Sequence, residues 1–223
     1  MPFTDVATEL TTGATDAIIA IEAVVCAMVL WRHRTADAFK VGIWSWVFGL
    51  LTVASGLGAV AHALAISEGL REILWRPLYL SLGLVVALFA VGAVYDWKGR
   101  RVALWLLPIA LPVALGFFAV TQVVSGAFLV FVLYEAVAML VALGIYGTLA
   151  ARGRRGAGLV TLGVLLSIVA AGIQATGSVR LDLVVPFDHN GVFHLVQMVA
   201  LAVLTTGLAR TLATPSISAG VSR

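Results

Sequence analysis

Apolar residues along this chain fall into seven long runs separated by short polar breaks, at roughly 14–31, 42–66, 74–95, 102–119, 125–149, 157–177 and 190–212. Each run approaches the length of about 20 residues that a helix needs to cross the hydrocarbon core of a bilayer. Lipid offers backbone N–H and C=O groups no partner except one another, so each run is read as a helix. The predicted fold is all-α: an integral membrane seven-helix bundle over 1–212, with a disordered tail over 213–223. The break between the fourth and fifth runs is the shallowest. Residues 102–149 carry one charge between Arg101 and Arg152, that of Glu135, and the turn is placed at 121–126. Pro108 and Pro112 are expected to bend the fourth span, which a bundle tolerates.

Composition supports this pattern. Of 223 residues, 61% are hydrophobic and 11% charged, against about 45–50% and about 25% in an ordinary soluble domain. That excludes a disordered chain and leaves too little polar surface for a soluble enzyme. The net charge of +3 is spread over short loops without interleaved aromatics, which excludes nucleic acid as a partner. Cys26, the single cysteine, sits in an apolar run and is read as a small core residue.

Charge also sets the orientation. Eleven of the fourteen Lys and Arg fall on one side. They are Arg32, Arg34 and Lys40 in the first connection, Lys98, Arg100 and Arg101 in the third, and Arg152, Arg154 and Arg155 in the fifth. Arg210 and Arg223 follow the seventh span. The opposite side has Arg71, Arg76 and Arg180 beside Asp5, Glu9, Glu68, Glu72, Asp182 and Asp188. The positive-inside rule then predicts an outside N-terminus and a cytoplasmic C-terminus. The first thirteen residues have no Lys or Arg, so the first span is expected to be retained rather than cleaved as a signal. Trp31, Trp44, Trp46, Trp75 and Trp97 lie near span ends and are expected at the interface. Gly42, Gly49 and Gly56 recur every seventh residue and are expected to bring neighbouring helices close.

Ionisable residues inside a membrane are costly and mark bundle interiors or cavities. His62 lies roughly 6 Å inside the end of the second span and His194 roughly 6 Å inside the start of the seventh. The two spans run in opposite directions, so both histidines reach one outer layer. Asn190, His194 and Gln197 share one helix face. Gln174 lies near the outer end of the sixth span, His189 opens the seventh, and Asp16 and Glu22 are placed in the outer half of the first. Asp188 or Asn190 is expected to cap the seventh helix. Glu135 sits mid-span in the fifth. His33, between Arg32 and Arg34, is read as solvated. Two readings of the layer stay open. Neutral histidines with a carboxylate suit a metal, with water as a fourth ligand, and the same residues suit hydrogen bonds between helices.

Seven spans, a histidine at the end of the second and a polar histidine motif opening the seventh resemble the CREST superfamily of membrane hydrolases, which contains the alkaline ceramidases and adiponectin-receptor relatives. Gly56-Leu57-Gly58-Ala59-Val60-Ala61-His62 is similar to the ceramidase second-span motif. His189 to Leu201 is closer still to short bacterial seven-span proteins with a His-Asn-x-x-x-His signature and no assigned activity. The resemblance implies a zinc ion held by His62, His194 and His189 or Asn190, and cleavage of an amide bond in a lipid. Three departures stand out. Gly58 occupies the position of the family's second-span serine, Asn190 that of the first histidine of its seventh-span His-x-x-x-His, and Glu72 that of its third-span aspartate.

Three functions are therefore expected to compete. The first is a zinc-dependent intramembrane hydrolase of a lipid-like amide or ester at the outer leaflet. In it, water on the metal is the nucleophile, Glu72 or Asp16 the general base, and Ser55 or Gln174 the holder of the oxyanion. The second is a non-enzymatic accessory or structural subunit that docks partner membrane proteins along its helices. The third is a haem protein ligated by His62 and His194. A retinal protein is excluded, because the only lysines are Lys40 and Lys98 and neither lies in the seventh span. A transporter that uses Glu22 and Glu135 stays open, without a visible inverted repeat.

Overall fold

The computed structural model describes residues 2–124 and 127–213. Among the described residues seven helices are long and apolar enough to cross a membrane, and the chain is a multi-pass membrane protein. They are α1 (Ala7–Trp31), α2 (Ala38–Ala63), α3 (Glu68–Lys98), α4 (Arg100–Thr121), α5 (Ala127–Ala151), α6 (Ala157–Thr176) and α7 (His189–Leu212). Two short strands, β1 (Leu181–Asp182) and β2 (Pro186–Phe187), form an antiparallel hairpin between α6 and α7. The tail at 214–223, Arg223 within it and the turn residues 125–126 lie outside the described residues.

The seven expected spans are all present, but several helices are longer than the apolar runs. α1 begins at Ala7 rather than 14, and α3 begins at Glu68 rather than 74 with Pro77 inside it. The apolar pattern marks only the stretch inside lipid, whereas backbone hydrogen bonding continues into the interface. Caps settle the ends. Asp37 accepts from Lys40 N to start α2, Ser67 accepts from Leu70 N to start α3, and Asp188 accepts from Gly191 N to start α7. α4 runs unbroken through Pro108 and Pro112.

Six helices close a ring: α1 packs on α2, α2 on α3, α3 on α5, α5 on α6, α6 on α7, and α7 back on α1. α4 packs on α3 and α5 from outside this ring. We call the end where α1 starts the N-face and the end where α7 finishes the C-face. The core fills the C-face half, around Leu30, Val41, Trp44, Phe48, Tyr146 and Leu208. Trp44 is fully buried and stands edge-on to Phe89 at 5.3 Å, which corrects its expected interfacial place. Trp31, Trp46 and Trp97 are exposed as expected.

Lys40 is likewise not a loop charge. It lies inside α2, 4% exposed. Its Nζ donates to Asp96 Oδ1 at 2.5 Å and to Thr211 Oγ1 at 2.6 Å. Tyr146 donates to Asp96 Oδ2 at 2.8 Å, and beside it Tyr95 donates to Asp37 Oδ2 at 2.5 Å. The network joins α2, α3, α5 and α7 across the axis near the C-face, where α2 and α7 are not ring neighbours.

The expected close approach at Gly42, Gly49 and Gly56 is absent, since a Cβ there would meet nothing within 4 Å. Close packing occurs on a different face of α2, at Gly58, where a Cβ would stand 2.7 Å from Asp16 Oδ2.

Candidate functional site

The N-face half of the ring encloses a cavity of about 420 Å³, within the range of small-molecule sites. Every ring helix contributes to it and α4 contributes nothing. α3 presents Trp75, Tyr79, Leu82, Val86 and Phe89 at helical spacing. α5 adds Phe128, Phe131, Glu135 and Met139 on one face. The polar lining comes from Asp16 of α1, Ser55 and His62 of α2, Ser167 and Gln174 of α6, and the opening turns of α7.

Seven of the eight expected site residues meet in this cavity: Asp16, Ser55, His62, Gln174, His189, Asn190 and His194. Glu72 does not. It is exposed on α3 and absent from the cavity lining, which removes it as a general base. Glu22, placed with the outer layer by the sequence, is fifteen residues into α1, roughly 22 Å from its start. It lines a separate groove toward the C-face with Cys26, Thr205 and Arg210. His33 is half-buried at the same groove, not freely solvated.

Each of the two aligned histidines meets a carboxylate. His62 Nδ1 is 2.6 Å from Glu9 Oε2, and its ring stands edge-on to Trp75 at 5.7 Å. His194 is 7% exposed. Its Nδ1 is 2.8 Å from Thr15 Oγ1 and its Nε2 3.4 Å from Asp16 Oδ1. Thr15 Oγ1 also stands 2.9 Å from the carbonyls of Thr11 and Thr12. His194 and Asp16 meet side by side at the cavity wall, at ion-pair distance and without a hydrogen bond between them.

The surrounding groups hold this pair in place. Asp188 accepts from Thr12 Oγ1 at 3.2 Å while capping α7 at Gly191 N at 2.9 Å, which ties α1 to the start of α7. Thr11 donates to the Pro186 carbonyl at 2.8 Å, tying α1 to the hairpin as well. Gln174 Nε2 donates to Asn190 Oδ1 at 3.2 Å. Arg71 donates to the Ala61 carbonyl, behind His62.

The expected zinc site does not fit these residues. Among the described residues no group of three His, Cys, Asp or Glu side chains is placed to hold a metal ion. His194 Nδ1 is engaged by Thr15 and its Nε2 faces Asp16 at 3.4 Å, while the Asn190 oxygen accepts from Gln174.

Sequence reading passed over Glu9, Thr12 and Thr15, which position the histidines. Thr11, Thr12 and Thr15 do carry a signal: hydroxyls at i, i+1 and i+4 mark one polar face at the start of an otherwise apolar helix. Residues 11–213 match a family model described as "Family of unknown function (DUF6962)", and the chain belongs to that family. No curated protein and no solved structure matches it.

Proposed function

We propose that this member of the DUF6962 family is an intramembrane hydrolase of a lipid-like amide or ester, with its site in the central cavity at the outer-leaflet level of a bacterial inner membrane. One observation carries the reading: a histidine and an aspartate 3.4 Å apart, His194 and Asp16, face a cavity whose remaining wall is mainly apolar and aromatic. Such a wall suits an acyl chain, and such a pair suits proton transfer at the bond the chain carries.

The steps use this chain's own groups. A water in the cavity attacks the carbonyl carbon while the Asp16 carboxylate takes its proton. His194, 3.4 Å away, positions the aspartate. Ser55, Gln174 and Gln197 line the same cavity and supply donors for the oxyanion. As the C–N or C–O bond breaks, the proton on Asp16 passes to the departing amine or alcohol. No step is routed through a metal.

The test is release of fatty acid from lipid amides and esters by the purified chain in nanodiscs, read by mass spectrometry. Asp16→Asn and His194→Phe are expected to slow release about 10²–10⁴-fold, the usual contribution of a positioned acid–base group. Glu72→Ala and a metal chelator are expected to leave it unchanged. No release from either class of lipid, or full activity in Asp16→Asn, overturns the hydrolase reading. Loss on chelation with recovery on adding zinc overturns the metal-free form of it.

A further inference from the structure

The cavity's charge is one-sided. Asp16 and Glu135 are among its lining residues, whereas no Lys or Arg is among the described ones. Just behind the wall, Glu9 and Asp188 add two more carboxyls. Arg71, on the neighbouring α3, is committed to the Ala61 carbonyl and lies 3.7 Å from Glu68. The only side chains in the lining able to become cationic are histidines: His62, matched by Glu9, His194, beside Asp16, and His189 at the first turn of α7. Glu135 is left: among the described residues it has no hydrogen-bond or ion-pair partner. It projects into the cavity from α5, roughly 12 Å below the start of that helix.

Aromatic side chains accompany it. Phe128 and Phe131 stand on the same face of α5, seven and four residues before Glu135. Trp75 and Tyr79 of α3 lie in contact with one another, 5.7 Å between centroids, and line the same space. A carboxylate among aromatic faces is the chemistry that selects an ammonium group, through a charge-assisted hydrogen bond and cation–π attraction. An ionised carboxyl this deep in a bundle is costly without a counter-charge, and an ammonium group held in this cavity would supply it.

We propose that the cavity selects amphiphiles bearing an ammonium group, and that Glu135 is the residue that determines this specificity. The proposal rests on the cavity being the substrate site, and it names the class of substrate that site takes. Glu135 acts here in binding, apart from the proton transfer assigned to Asp16 and His194.

The test compares three probes of equal chain length, tetradecylamine, tetradecanol and myristate, titrated into the chain in phosphatidylcholine nanodiscs. Binding is read from tryptophan emission, with Trp75→Phe identifying the part of the signal that arises at the cavity wall. The amine is expected to bind tightest and myristate weakest. Glu135→Gln is expected to weaken the amine roughly ten- to hundredfold, the worth of one hydrogen bond to a charged group, and to leave tetradecanol unchanged. Equal affinity for the three probes, a preference for myristate, or an unchanged amine affinity in Glu135→Gln overturns the proposal. The ranking on the native chain decides the matter even where the variant fails to fold. Amine preference without lipid cleavage would refute the hydrolase reading alone, and cleavage without amine preference would refute this proposal alone.

Discussion

Removing Lys40 tests the C-face half of the bundle. Lys40→Met leaves the Asp96 carboxylate, in a side chain 11% exposed, with Tyr146 as its remaining donor. Breaking a buried pair by deleting one member costs about 3–5 kcal/mol, mostly from stranding the other charge. Thr211 adds little to this, because its hydroxyl already donates to the Leu208 carbonyl at 2.6 Å. Asp96→Leu should cost a similar amount by stranding the ammonium. The double variant Lys40→Met/Asp96→Leu strands no charge. It leaves only the Tyr146 hydroxyl without its acceptor, which costs about 1–3 kcal/mol. The double change is therefore expected to be milder than either single change. Unfolding in mixed micelles titrated with a denaturing detergent, followed by circular dichroism, measures all four species. Single costs that add to within about 0.5 kcal/mol in the double variant would show independent sites and refute the network as a unit across four helices.

Two further changes address the N-face half. Gly58→Ala places a Cβ 2.7 Å from Asp16 Oδ2 and must push the carboxyl off its alignment with His194. Hydrolysis should fall about 100-fold, as for a misplacement of about 1 Å, while thermal unfolding shifts by no more than about 1–3 kcal/mol. Asp188→Ala removes both the α7 cap and the Thr12 tie and should cost about 0.5–2 kcal/mol in the same unfolding assay. Asp188→Asn, which still caps, should recover most of that loss.

The number of helices and their rough positions were legible because lipid forces long apolar runs, and a run's length is a property of the chain alone. Direction around each helix was not legible. Ser55, Gly58 and His62 share one face of α2 and look into the cavity, whereas Gly42, Gly49 and Gly56 lie on another face and meet nothing. Spacing groups residues into faces without saying which face meets a neighbour. Lys40 and Trp44 illustrate the same point near a helix end. A charge or a tryptophan there reads as interfacial, yet both turn to the axis, because Asp96, Thr211 and Phe89 wait there from helices far along the chain. The hairpin at 181–187 was invisible for another reason: two residues per strand are too few for any alternation to register.

The site was half legible for a related reason. Depth can be counted in residues, so His62 and His194 were brought to one layer by arithmetic, and both line the cavity. What each ring nitrogen does cannot be counted. A carboxylate on one nitrogen, as Glu9 stands on His62, is the arrangement a metal-bound histidine uses to orient its other nitrogen. His62 alone thus remains compatible with the zinc implied by the CREST resemblance. His194 differs: Thr15 stands on its Nδ1 and Asp16 lies 3.4 Å from its Nε2, and Thr15 reaches it because α1 and α7 are ring neighbours tied at Asp188. A threonine in the first apolar run carries no mark of this, because its partner lies 179 residues along the chain. The acid–base reading proposed for the cavity therefore rests on contacts that no count along the chain could supply.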